Sequence, residues 1–133
     1  MAYEAIFNGT IIANSEALTG TVVSNNIMQK VLTYINSNYT QPLKIADVAK
    51  RFNVSVSYLS HEFVKYINRS VYDYVLYRRV MLAKELISTD ISLNNIAYQC
   101  GFNDYSNFLR MFHKVVGISP NQYRKQILTL ANG

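Results

Sequence analysis

Val48-Ala49 returns as Ile96-Ala97, and Phe52-Asn53-Val54 returns as Cys100-Gly101-Phe102, both at an offset of 48. Beyond that point the offset is 49: Leu59 pairs with Phe108, Phe63 with Phe112, Lys65 with Lys114, Ser70 with Ser119 and Tyr74 with Tyr123. One unit is therefore present twice, with a single residue inserted after the second turn, and the fold must be built from two copies of one supersecondary element. Each copy reads as helix, tight turn, helix, with a small Ala at the crossing and Asn or Gly in the turn, which is the pattern of a helix-turn-helix. Gly101 permits the sharp bend, and Asn53 suits a left-handed backbone at the same point of the first copy. Phe102 anchors the bend. Phe108 and Phe112 commit one side of the following helix to the core and leave the opposite side free.

The rest of the chain reads as helix around these units. Ile27, Val31, Leu32 and Ile35 recur at helical spacing before Pro42. Helices are expected over 45–51, 57–66, 71–87, 93–100 and 105–116, with Ser70, Ser92 and Asp104 as N-caps, and Ser119-Pro120 starts the last one. The long helix carries Val71, Tyr74, Val75, Leu82 and Leu86 on its apolar spacing and spans roughly 25 Å. Residues 3–23 differ, being rich in Ile, Val and Thr around Asn8-Gly9, a pair that favours a hairpin turn. The expected fold class is all-α, two helix-turn-helix subdomains joined by a long central helix. Residues 1–25 form either a short N-terminal β-hairpin or the remnant of an upstream domain or linker, 26–69 the first subdomain, 70–88 the linker helix and 89–130 the second subdomain. The remnant reading is favoured, because residues 3–23 resemble sheet sequence lacking its sheet.

Net charge is +5 over 133 residues, and it is not evenly spread. Residues 1–43 hold Lys30 against Glu4 and Glu16, so the remainder carries twelve basic and six acidic side chains. A localised basic excess favours a polyanionic partner through phosphate neutralisation and counterion release. With only Cys100 and two histidines, His61 and His113, no zinc set is formed. HExxH, GxSxG, P-loop and GxGxxG patterns are absent, so no catalytic residue, cofactor or metal is expected. Cys100 falls at a turn-packing position and reads as an inert core residue. No apolar run approaches the roughly 18 residues of a membrane span.

Tandem helix-turn-helix units with polar helix faces on a basic segment imply binding of double-stranded DNA, since a major groove about 12 Å wide admits such a helix. The competing reading is a helical protein-interaction module. In the second unit Tyr105, Ser106, Leu109 and Arg110 occupy the free face, near backbone amides that favour phosphate. Arg110 has the fork to bridge guanine O6 and N7, the alternative being a phosphate or a nearby carboxylate. Asn107 serves a base, a phosphate or the backbone. The corresponding positions of the first unit are Ser57, Ser60 and His61, which give less base discrimination than an arginine, and His61 reads equally as a solvated residue. Lys50, Arg51, Lys65, Lys114, Arg124 and Lys125 are candidate phosphate contacts, each also readable as a solvated surface charge.

The sequence resembles the DNA-binding region of the AraC/XylS-type transcriptional regulators over residues 27–127. The resemblance rests on Arg79-Val80-x-x-Ala83-x-x-Leu86-Ile87, on Ile96-Ala97-x-x-Cys100-Gly101-Phe102, and on Phe108-x-x-x-Phe112-x-Lys114 followed by Gly117-x-Ser119-Pro120-x-x-Tyr123-Arg124. Three positions depart from the family pattern: Asn53 and Asn68 stand where Gly is usual, and Lys44 where a capping Ser or Thr is common. The resemblance implies that Ser57, Ser60 and His61 face the groove, that Arg79 has a structural or tethering role, and that the protein regulates transcription from the bacterial cytoplasm. It further implies activation through contact with RNA polymerase and, in many members, a separate sensor domain upstream. Because the two free faces differ, an asymmetric or direct-repeat-like binding site is expected.

Overall fold

The computed structural model describes residues 26–132. The hairpin or upstream remnant expected at residues 1–25 lies outside them. The described residues contain seven helices and no strand: α1 (26–38), α2 (Ile45–Arg51), α3 (Val56–Ile67), α4 (Val71–Leu86), α5 (Leu93–Gln99), α6 (Tyr105–Val116) and α7 (Pro120–Asn132). They separate into two compact units, one ending at Val75 and the other beginning at Leu76, so α4 gives Val71–Val75 to the first and Leu76–Leu86 to the second.

The repeat read from the sequence is reproduced bond for bond. In the first turn the amides of Phe52, Asn53 and Val54 donate to the carbonyls of Val48, Lys50 and Ala49. In the second, Cys100, Gly101 and Phe102 donate to Ile96, Tyr98 and Ala97, each position shifted by 48. Asn53 has φ 56° and Gly101 φ 102°, the left-handed backbone that closes such a bend. The 49-residue offset then governs the rest. Asn68 (φ 63°) and Gly117 (φ 95°) end α3 and α6 by donating to Val64 and His113 respectively.

The first unit buries Met28, Val31 and Ile35 of α1 with Val48, Ala49, Leu59 and Phe63. Ile27 is exposed and Leu32 only half-buried, because the buried stripe of α1 runs through Met28 and leaves both at its edges. Tyr74 is buried, meets Phe63 edge-on with centroids 5.7 Å apart, and donates its hydroxyl to Asn36 Oδ1 at 2.6 Å. That bond matters because a buried hydroxyl without a partner costs about 1 to 3 kcal/mol. The repeat pairs Phe52 with Cys100, but the two are enclosed differently: Phe52 is half-buried and lies edge-on against Tyr34 at 5.9 Å, whereas Cys100 is fully enclosed.

In the second unit Tyr77, Val80, Ala83 and Ile87 pack with Ile96, Ala97, Cys100, Phe102, Phe108 and Phe112 as the core. Phe112 and Tyr123 repeat the Phe63–Tyr74 pair, again with centroids 5.7 Å apart. Leu82 and Leu86 are half-buried rather than central. A helix that serves one unit at its start and another afterwards has no single apolar stripe, so spacing placed Val71, Tyr74 and Val75 in the core correctly but not Leu82 and Leu86. The caps follow expectation at Ser70, Ser92 and Asp104, and Ser119 makes a reciprocal box in which its Oγ accepts from Gln122 N while Gln122 Oε1 accepts from Ser119 N, both at 3.1 Å. Lys44, at the start of α2, makes no side-chain cap.

Candidate nucleic-acid interface

The second helix of each unit, α3 or α6, is held by the same device. Ser55 Oγ accepts from Tyr58 N at 3.0 Å to start α3, and Leu59, Phe63 and Ile67 bury one side of it. Ser57, His61 and Lys65 are left exposed on the other side, with Ser60 half-buried among them. These four residues and Val64 line one open concavity of about 490 Å³. In α6, Phe108, Met111, Phe112, Val115 and Val116 face inward. Phe108 touches Phe102, Tyr105 and Phe112 with centroids 5.3 to 5.8 Å apart, so the helix start cannot roll without breaking aromatic packing. Tyr105, Ser106 and Arg110 are exposed, and Asn107 and Leu109 are half-buried.

Each unit thus presents a helix-turn-helix whose second helix has one side buried, and a family model described as a helix-turn-helix domain matches residues 48–126, more than half the chain. The chain belongs to the AraC-type helix-turn-helix family. Among its relatives, the uncharacterised HTH-type transcriptional regulator YdiP of Escherichia coli K12 is 34% identical over 108 residues, covering 80% of this chain and 36% of that protein. The melibiose operon regulatory protein of Escherichia coli K12 is 35% identical over 99 residues, covering 74% of this chain and 33% of that protein. The C-terminal domain of AraT, a response regulator from Geobacillus stearothermophilus, matches with a TM-score of 0.72 at 32% identity, covering 75% of this chain and 84% of that domain. The chain spans about a third of the length of the curated relatives it matches. The matched region takes in both helix-turn-helix units.

Within this AraC-type region, Arg110 is not a free arm. Its Nη2 donates to Asn107 Oδ1 at 2.6 Å, one helical turn back, which fixes the fork and takes up the acceptor of Asn107. Asp104 also alters the expectation at the start of α6. Its carboxylate accepts from Ser106 N at 2.9 Å, so a negative charge stands where the sequence suggested a phosphate, whereas α3 begins at the neutral Ser55. Tyr105 lines a separate concavity of about 340 Å³ with Asn94, Asn95, Tyr98 and Asn103. Spacing did not single out those four. Tyr98 is 80% exposed, and an aromatic on the polar side of α5 was the readable signal.

The basic candidates divide. Lys50, Lys65, Lys114 and Lys125 are exposed, and Lys65 Nζ lies 5.4 Å from the Tyr66 ring centre. Arg51 is exposed with its guanidinium 4.5 Å from the centre of the Tyr34 ring, which orients it without removing it from solvent. Arg124 is placed differently. Its Nε donates to Ile87 O at 3.0 Å, and its Nη2 to Thr89 O at 3.3 Å and Ile91 O at 2.6 Å, so the guanidinium is spent tying α7 to the segment after α4. The Arg79 guanidinium sits 5.9 Å from the Phe102 ring centre and acts electrostatically on Cys100. Burial pushes the Cys100 thiol from 9.0 up to about 12, an effect that Arg79 partly offsets. Among the described residues no three His, Cys, Asp or Glu side chains come together, and no helix is long and apolar enough to cross a membrane.

Proposed function

We propose that this protein is a sequence-specific regulator of the bacterial cytoplasm, most simply an activator, that sets its two recognition helices into successive major-groove segments of one DNA duplex. The single observation that carries this reading is the duplicated turn, hydrogen-bonded identically at an offset of 48 and followed in each unit by a helix with one side buried and a polar side exposed. Duplex DNA returns the same groove every 34 to 36 Å, so one duplex offers a segment to each of two readers. Ser57, Ser60 and His61 read bases in one segment, and Tyr105, Ser106, Asn107 and Arg110 in the next. Lys50, Arg51, Lys65, Lys114 and Lys125 hold phosphates and set the register. The protein acts by binding rather than by catalysis.

Activation through contact with RNA polymerase is what the family resemblance implies, and the similarity to the melibiose operon regulatory protein supports a regulatory role. A sensor domain as a further partner of this region is what the family resemblance implies, and the greater length of the relatives leaves room for one in those proteins. The decisive test of the DNA reading uses Arg110→Ala on a selected duplex and on a random one. Loss of about 1 to 3 kcal/mol on the selected duplex, with relaxed preference at one base pair, is expected. Equal loss on both reassigns Arg110 to a phosphate. Affinity that does not change with salt in either case contradicts DNA binding and favours the protein-interaction module.

A further inference from the structure

The free faces of α3 and α6 differ at several positions, and one of these differences is an exposed apolar side chain. Val64 is 46% exposed on α3, seven residues after Ser57 and therefore two turns along the same stripe. It shares the open concavity with Ser57, Ser60, His61 and Lys65, and none of these lining residues is a carboxylate. Ser57 and Ser60 are short enough to let the helix approach the floor of a groove closely. At the position equivalent to Val64, the second unit has His113, which is exposed and polar.

In the major groove the apolar group a protein can meet is the thymine C5-methyl, while guanine offers O6 and N7 to an arginine fork. We propose that Val64 is a specificity-determining residue that packs on a thymine methyl, so that the segment read by α3 is marked by a thymine and the segment read by α6 by the guanine taken by Arg110. This rests on the DNA-reading function above and names the bases that function selects. Lys65, next to Val64 and exposed, supplies a phosphate contact that holds the methyl contact in register. A solvated valine contributes nothing to binding. A valine closed over a methyl removes apolar surface of both partners from water.

The experiment selects duplexes bound by the whole chain, then replaces each thymine of the preferred site in turn by deoxyuridine, which lacks only the methyl. One replacement in the α3 segment is expected to weaken the wild-type chain about fourfold, the effect of burying one methyl-sized group. The same replacement should leave Val64→Ala unchanged, that variant having already lost the contact. Val64 is exposed, so the variant should fold, and a circular dichroism melt matching wild type checks this. If no deoxyuridine replacement matters, or if the effective one weakens Val64→Ala equally, the assignment of Val64 is overturned while DNA reading stands. If no duplex is preferred over a shuffled control, the DNA-reading function falls and the assignment with it.

Discussion

Arg124 shows how a charge can be counted among DNA contacts from sequence and yet belong to the architecture. Three backbone carbonyls, those of Ile87, Thr89 and Ile91, accept from its guanidinium, and these are the groups left open where the chain leaves α4. Truncation to Ala strands them, and hydrogen bonds to charged groups are each worth about 1.5 to 3 kcal/mol. Arg124→Ala is therefore expected to lower stability in urea by at least about 1.5 kcal/mol, and Arg124→Lys to restore only part, since a single ammonium cannot span carbonyls that a planar fork reaches together. The dependence of duplex affinity on salt should be the same for both variants as for wild type, and a reduced slope would return Arg124 to the phosphate contacts. Cys100 gives a second prediction at this scale. Its folded thiol holds its proton up to about 12 while the unfolded one releases it near 9.0. It adds no pH dependence below that window and subtracts stability as pH rises through it. At pH 8 a thiol reagent should leave the native chain unmodified and label it in urea, and fast labelling of the native chain would refute the enclosed site.

At the scale of elements, helix ends decide how firmly the reading faces are held, and here the copies differ. Ser55, Ser92, Asp104 and Ser119 all cap their helices, but α2 starts at Lys44 with no side-chain acceptor. Lys44→Ser should raise stability by about 0.5 to 1 kcal/mol in thermal or urea unfolding; no gain would mean that the α2 amides are already satisfied in another way. At the other end, Gly117 and Asn68 hold the same left-handed backbone after α6 and α3, and a Cβ at Gly117 meets nothing within 4 Å. Steric space is therefore not at issue, only backbone strain. Gly117→Ala should cost about 1 to 2 kcal/mol and Gly117→Asn clearly less, because Asn tolerates this backbone and Asn68 already adopts it. Equal costs would contradict that explanation. Features of this kind were legible in the sequence because they are local: a turn residue, a cap and a three- or four-residue spacing act within one or two turns of chain. The half-buried Phe52, the shared α4 and the internal use of Arg124 were not, since each depends on what another element brings to it.

For the whole molecule, the repeat was readable because duplication leaves matched residue types at a fixed offset, and the hydrogen bonds of both turns follow it. The same offset also set the two free faces side by side and showed that they differ, Arg110 falling opposite His61. That difference comes from side chains with no counterpart in the other copy: Arg110 braced by Asn107 stands where the first unit has His61, and Val64 where the second has His113. On the proposed function, these two unlike faces require a binding site with two unlike parts. The most direct measurement is selection of bound duplexes from a random pool by the whole chain, followed by footprinting of the winners. Two non-identical motifs with centres one helical turn apart, about 10 base pairs, protected together by a monomer, are predicted. A palindrome protected only by a dimer, a single short motif, or no enrichment at all would contradict the account.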